Sequence, residues 1–262
     1  MDNSWEQTHF ITSKDNDFFK KMKSYTLSKN RARDKIVLVE GRKNFEEAAR
    51  VLHLRYLLIN EDFSADSLDL LADIPSEKHT RLSNHLFDAL AEAKNPQGVI
   101  GVFDMPDQQP DLASLDKVVV LEGVQDPGNV GTIMRTALFL GYQAVLLDEA
   151  CAAPFSPKVI RSSMGAVFHL PCKAAPIEQH LAGLKDTGFS IIGADLQGND
   201  LPAKNDSGLP QKFALLVGSE GQGLSEAALS HCDYRYRIPQ ENAAAESLNA
   251  AVASGIMMYQ LN

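Results

Sequence analysis

From Val118 onward, short apolar runs alternate with segments of helical periodicity, and this alternation restricts the fold more than any other feature of the chain. Strands are predicted at Val118 to Leu121, Ala144 to Leu147, Ile191 to Gly193 and Phe213 to Val217. Helices are predicted from Val130 to Leu140, where Gly141 ends the pattern, and from Ser247 onward. Strands separated by helices pair in parallel, so an α/β domain with a helix-covered parallel sheet is expected. Upstream, Ile36 to Glu40, Tyr56 to Ile59 and Gly98 to Phe103 read as strands, with a helix capped by Asn44 and another from Leu82 to Ala93. The stretch from Met105 to Asp116, rich in proline and aspartate and without apolar period, reads as a linker. At 262 residues two domains are expected: a smaller N-terminal α/β domain over 1–105, a linker over 106–116, and the parallel-sheet domain over 117–262.

The net charge of -9 excludes a general polyanion binder, because an acidic surface repels phosphate. Basic residues nevertheless cluster between Lys20 and Lys35, where Lys29, Arg31 and Arg33 stand close together. That cluster is either a solvated face or a grip for an RNA backbone, and patterning alone leaves both open. No stretch reaches the ~20 apolar residues of a membrane span, and the first ten residues lack an export pattern. The three cysteines, Cys151, Cys172 and Cys232, form neither a disulfide framework nor a CxxC ligand spacing. A cytoplasmic protein without a membrane or metal partner is expected.

Three motifs carry chemistry. In the first, Glu122 to Gly141, a turn at Pro127 and Gly128 precedes a helix that carries Asn129 and Arg135. A helix start with a nearby cation suits a phosphate or a developing oxyanion, and it is equally an ordinary βα turn. The second, Phe213 to Ser225, ends an apolar strand in GSEGQG around Glu220. Its glycines permit close ligand approach or simply a tight turn. In the third, Arg237 to Met258, Ser247 and Asn249 stand at the start of the last helix. Ser247 is a cap or a pocket residue. The small residues from Ala250 to Gly255 allow close packing, against the domain's own core or a partner subunit.

Taken together and in this order, NVGTIMRTA at 129–137, GSEGQGLS at 218–225, and IP followed by SLN at 238–249 resemble the SpoU (TrmH-like) family of RNA ribose 2'-O-methyltransferases. The intermediate SPKVIRSSMGAVFHLP and the upstream KNRARDKIVLVEGRKNFEEA and AKNPQGVIGVF extend the resemblance over nearly the whole chain. It implies a parallel-sheet domain threaded into a trefoil knot, an exception to unknotted connections, behind an N-terminal substrate-binding domain of ribosomal-protein type. S-adenosylmethionine is the implied cofactor, at Gly218, Ile238 and Leu248. Arg135, Asn129, Glu220, Ser247 and Asn249 are the implied catalytic residues. A homodimer with the last helix in its interface is implied too, and rRNA is the expected substrate, with tRNA the alternative. A silent RNA-binding relative would be expected to lose Arg135, which is present. A dinucleotide enzyme would need GxGxxG after the first strand, which is absent.

Overall fold

A computed structural model of the chain describes residues 9–64, 74–107, 109–204, 207–242 and 247–262. Contacts divide the chain into Met1–Asp107 with Phe155–Arg161, and Gln108–Pro154 with Ser162–Asn262. No break in hydrophobic pattern marks the excursion at 155–161.

The first unit contains β1 (His9–Ile11), α1 (Asp17–Ser24), α2 (Ser28–Asp34), β2 (Ile36–Glu40), α3 (Arg42–Val51), β3 (Leu54–Asn60), β4 (His79–Leu82), α4 (Asn84–Leu90) and β5 (Val99–Asp104). Its sheet runs in the order β1-β4-β3-β5-β2, with β1, β4 and β3 parallel and β5 antiparallel to both neighbours. Phe19 and Met22 of α1 and Leu86, Phe87 and Leu90 of α4 bury themselves against one face, on Leu58, Ile100 and Val102. On the opposite side Phe45 of α3 meets Phe103, with ring centroids 5.5 Å apart. Gly101 makes this possible, since a Cβ there would stand 2.7 Å from the Phe45 ring.

Two expectations for this unit are corrected. The cap of α3 is Gly41, at φ 92°, and not Asn44, because the chain turns in the left-handed region and Gln97 Oε1 accepts from the Arg42 amide at 2.9 Å. The α4 helix begins at Asn84, its expected first turn being spent on β4. Within the basic cluster, Arg31 is 8% exposed and donates from Nη1 to the carbonyls of Tyr25 at 2.7 Å and Thr26 at 3.0 Å. Burial pulls its pKa below the ordinary arginine value. Arg31 thus fastens the α1–α2 turn and is withdrawn from any surface grip. Arg33 and Lys29 stay exposed, Arg33 forming a two-bond pair with Asp34 at 2.7 and 3.1 Å.

The second unit contains β6 (Lys117–Leu121), α5 (Pro127–Phe139), β7 (Ala144–Leu147), β8 (Cys172–Ala174), α7 (Ile177–Asp186), β9 (Ser190–Asp200), β10 (Phe213–Val217), α8 (Glu226–Ser230), β11 (Tyr234–Arg237) and α9 (Ala250–Gln260); α6 (Pro157–Ser163) lies between β7 and β8. Among the described residues the sheet order is β11-β9-β10-β6-β7-β8, and every pairing is parallel. A parallel sheet must be covered on both faces, which explains why β6, β7 and β10 are apolar almost throughout. Register places Val118, Val120, Ala144, Leu146, Ala214 and Leu216 on one face. There they meet Ile177, Leu181 and Leu184 of α7 and Ala228 of α8. Helices α5 and α9 pack on one another and against β7 and β10, respectively, with Tyr142 Oη donating to the Met258 carbonyl at 3.3 Å.

The expected linker is partly fastened. Leu112–Ser114 forms a 3-10 turn, Leu112 and Leu115 pack on the second core, and Lys212 Nζ donates to the carbonyls of Leu112 and Ala113 at 3.3 and 3.2 Å. Three of the small residues of α9 are likewise spent within the domain, Ala253 and Gly255 being half-buried. Ala250, Ala251 and Ser254 are buried alongside Met257 and Met258, whereas Val252, Ile256 and Tyr259 stay exposed.

Candidate active site

From β6 the chain leaves toward β7 and β8, and from β10 it leaves toward β11 on the other side. The carboxyl ends of β6 and β10 therefore form a switch point, where open α/β sheets bind ligands. Two loops open there: residues 122–126 after β6 and residues 218–225 after β10.

The loop after β6 ends in a cap. Asp126 Oδ1 accepts from the Asn129 amide at 3.0 Å, and Pro127 starts α5 with its φ already set. Asn129 is thereby held in the first turn of α5, where its Nδ2 donates to Glu220 Oε1. Asn249 reaches the same place from the far end of the chain. As the N-cap of α9 its Oδ1 accepts from the amides of Ala251 and Val252 at 3.0 and 3.3 Å. Its Nδ2 donates to Asn129 Oδ1 at 3.0 Å and to Glu220 Oε1 at 3.5 Å. One residue from each of the three motifs thus enters a closed amide–carboxylate network.

The loops share a second tie that sequence reasoning missed. Glu122 Oε2 accepts from the Ser225 amide at 2.9 Å and Glu122 Oε1 from Ser225 Oγ at 2.7 Å. The same Oγ accepts from the Ala228 amide at 3.1 Å and caps α8. A serine at a helix start is visible in the sequence, but its carboxylate partner emerges only once β6 and β10 are known to be neighbours. Cys151 holds the loop from behind, its Sγ accepting from the Val124 amide at 3.3 Å. Burial, then the Asp148 carboxylate, pushes this thiol up to about 12.

The other expected residues are placed differently. Ser247 is exposed and precedes a helix that starts only at Ala250, so Asn249 and not Ser247 is the cap. Arg135 lies six residues beyond Asn129 on α5, about 9 Å along the axis and on another side of the helix. Its side chain is exposed and makes no hydrogen bond or ion pair with any described residue. Neither Asn129 nor Glu220 bonds to it, their side chains meeting one another and Asn249. Instead Arg135 heads an exposed stripe with Leu138 and Phe139, the latter 86% exposed.

Gly218 is buried, and its reason for being glycine is internal. A Cβ there would stand 2.2 Å from the carbonyl of Gly223 and 2.5 Å from the Leu224 amide, so the turn closes on itself only without a side chain. At Gly221 and Gly223, by contrast, a Cβ would meet nothing within 4 Å. Ile238 is half-buried after β11, and Leu248 is 45% exposed before α9. Residues 243–246 of the third motif lie outside the described residues. On the β6 and β7 side of the turn lies a cavity of about 530 Å³, lined by Glu122, Gln125, Asp148, Ala150, Glu220 and Gln222 among others. Among the described residues no group of three or more His, Cys, Asp or Glu could hold a metal ion, and no helix is long and apolar enough to cross a membrane.

Comparison with known proteins matches the model of the SpoU rRNA Methylase family to residues 116–259 and that of the MRM3-like substrate binding domain to residues 16–101. The 23S rRNA (guanosine(2553)-2'-O)-methyltransferase RlmP of Bacillus subtilis (strain 168) is 35% identical over 253 residues, 96% of this chain and 98% of the relative. Among solved structures, an AdoMet-bound rRNA methyltransferase from Sinorhizobium meliloti superposes with a TM-score of 0.84 at 27% identity, covering 97% of both chains. The SpoU methyltransferase AviRb from Streptomyces viridochromogenes, in complex with AdoMet, gives 0.80 at 28% identity over 94% of this chain and 97% of that one. With all three motifs inside the matched segment and the likeness running through both units, the chain belongs to the SpoU rRNA methylase family.

Proposed function

We propose that this protein transfers a methyl group from S-adenosylmethionine to a ribose 2'-hydroxyl of rRNA, in the cytoplasm. The observation that carries the reading is the meeting of Asn129, Glu220 and Asn249, from three separate motifs, at the switch point of a parallel sheet. The residues fit the cofactor. Ile238, half-buried, and Leu248, exposed, leave apolar surface uncovered on the loops after β11 and before α9, as an adenine ring requires. Gly218 would shape the turn after β10 while Ile238 and Leu248 contact the cofactor. When bound, the cofactor supplies an electrophilic methyl carbon on a sulfonium.

The protein's part is to align and polarise the hydroxyl. Glu220, fixed by two amide groups, presents an oriented acceptor to the ribose. Arg135 supplies the cation that lowers the cost of the developing alkoxide. A guanidinium stays protonated in proteins, so its role is electrostatic. Ser247, exposed beside Asn249, belongs to the ribose side of the site. The trefoil threading of the family goes with this reading, supported by the entry of β10 between β9 and β6. A homodimer goes with it too: the exposed stripe of Val252, Ile256 and Tyr259 on α9 and that of Leu138 and Phe139 on α5 belong to helices that pack together.

Purified protein is expected to run at twice the 28.7 kDa chain mass and to methylate rRNA from cells lacking it, in preference to tRNA from the same cells. Ile256→Glu is expected to yield monomer. Labelled cofactor that marks neither RNA would remove the enzymatic reading.

The exposed Lys29 and Arg33 are proposed to track the RNA backbone. Reversing both to Glu is expected to weaken RNA binding and flatten its salt dependence without lowering Tm. Arg31→Ala is expected to cost about 2–3 kcal/mol of stability, because a buried and a part-buried carbonyl lose a charged donor. Unchanged RNA affinity in the double variant would make the cluster a solvated face.

A further inference from the structure

Resting on the reading just given, the geometry points to the cavity between the loops after β6 and β7 and the turn after β10 as the receptor for the base of the methylated nucleotide, read by Asp148 and Gln125. Location comes first. Residues 219–225 of the turn form one wall of the cavity. The positions assigned to the cofactor, Gly218, Ile238 and Leu248, do not line the cavity, which draws its other wall from Glu122, Gln125, Asp148 and Ala150. Glu220 lines the cavity and also receives Asn129 and Asn249. Because ribose is bonded directly to its base, a base held in the cavity brings its own 2'-hydroxyl next to Glu220. A volume of about 530 Å³ falls in the usual range of small-molecule pockets, roughly 300–1,000 Å³. Enzymes that act on one nucleotide commonly receive it extruded from its stack.

The lining chemistry selects a base over a phosphate. Its charged side chains are carboxylates, which repel the RNA backbone, and each is engaged through at least one oxygen. Both oxygens of Glu122 are taken by Ser225, and Glu220 Oε1 is taken by the two asparagines. Asp148 Oδ1 accepts from the amides of Ala150 at 3.2 Å and Cys151 at 2.9 Å, and its carboxylate also meets the Cys151 thiol. Those bonds set the plane of its carboxylate. Gln125 is exposed, and its side chain makes no hydrogen bond with any described residue. The cavity therefore offers an oriented acceptor and an uncommitted amide, complementary to an edge that carries N–H donors beside an acceptor. Guanine presents N1–H and the N2 amino group side by side, where a single carboxylate oxygen can accept from both, with O6 next to them for an amide N–H. Uracil and cytosine lack that pair.

The test uses the full chain, rRNA from cells lacking the protein, and S-adenosylmethionine labelled in the methyl group, with the product digested to nucleosides. Wild type is expected to yield 2'-O-methylguanosine. Gln125→Ala and Asp148→Asn are expected to leave the calorimetric Kd for S-adenosylmethionine unchanged and to lower kcat/KM for rRNA by about tenfold or more, within the range of a lost base-edge contact. Gln125→Ala alters an exposed side chain, so it decides the matter if Asp148→Asn folds poorly. A methylated pyrimidine as product, undiminished kcat/KM in Gln125→Ala, or cofactor affinity falling in parallel would each overturn the assignment; the last would make the cavity the cofactor's. An active wild type with unaffected variants sinks this inference alone. A wild type that methylates no RNA takes the proposed function down with it.

Discussion

Replacing Arg135 by alanine is expected to reduce methyl transfer by about 10²- to 10³-fold, the usual loss when a preorganised donor to a developing oxyanion is removed. The fold should be indifferent, because this guanidinium is exposed and bonded to no described residue. Cofactor affinity should also stand, since the proposed cofactor positions lie on the loops after β10 and β11 and before α9, whereas Arg135 projects from α5. Arg135→Lys tests the shape of the cation: it keeps the charge and loses the planar fork, so most activity should still be lost. Single-turnover assays with saturating cofactor make the measurement. Undiminished turnover in the alanine variant would take Arg135 out of the mechanism, and full rescue by lysine would reduce its part to charge alone.

Gly218→Ala is expected to act on the fold before it acts on the cofactor. The added methyl would stand 2.2 Å from the Gly223 carbonyl and 2.5 Å from the Leu224 amide, and backbone cannot step aside as a flexible side chain can. At about 3 kcal/mol, the upper range for overpacking, Tm should fall by about 6–12 °C for a domain of this size. Gly221→Ala is the control, because its methyl would enter open space, and its Tm should match wild type. Any loss of cofactor affinity in Gly221→Ala then reports on binding alone. A Gly218→Ala protein that melts with wild type yet fails to bind cofactor would restore the simpler idea that glycine is there to admit the ligand.

The parallel sheet was legible because β6, β7 and β10 are buried on both faces and leave uninterrupted apolar runs. Short or half-polar elements were not. Strand β4, HTRL, and helix α2, SKNRARD, carry too little periodicity to stand out, and β4 owes its place to parallel neighbours on both sides. In SLN both Ser247 and Asn249 are good helix starters by type. The choice fell to Asn249 because its side chain could satisfy α9 and the network together, a tertiary reason that local sequence does not carry. Arg31 is the converse case. Its neighbours in sequence make it look like part of a basic surface, and only the path of the α1–α2 turn reveals that two carbonyls claim it.

Asn249 has a further consequence, for the timing of assembly. Its oxygen starts α9 and its nitrogen joins residues that precede it by 120 and 29 positions. A chain whose sheet has condensed but whose last helix is undocked therefore keeps only the Asn129–Glu220 bond and lacks the donor to Asn129 and the second donor to Glu220. Such contacts between distant segments close late in folding. Competence for chemistry should arrive with the docking of α9, so an immature chain could hold RNA through its first unit without yet being able to mark it.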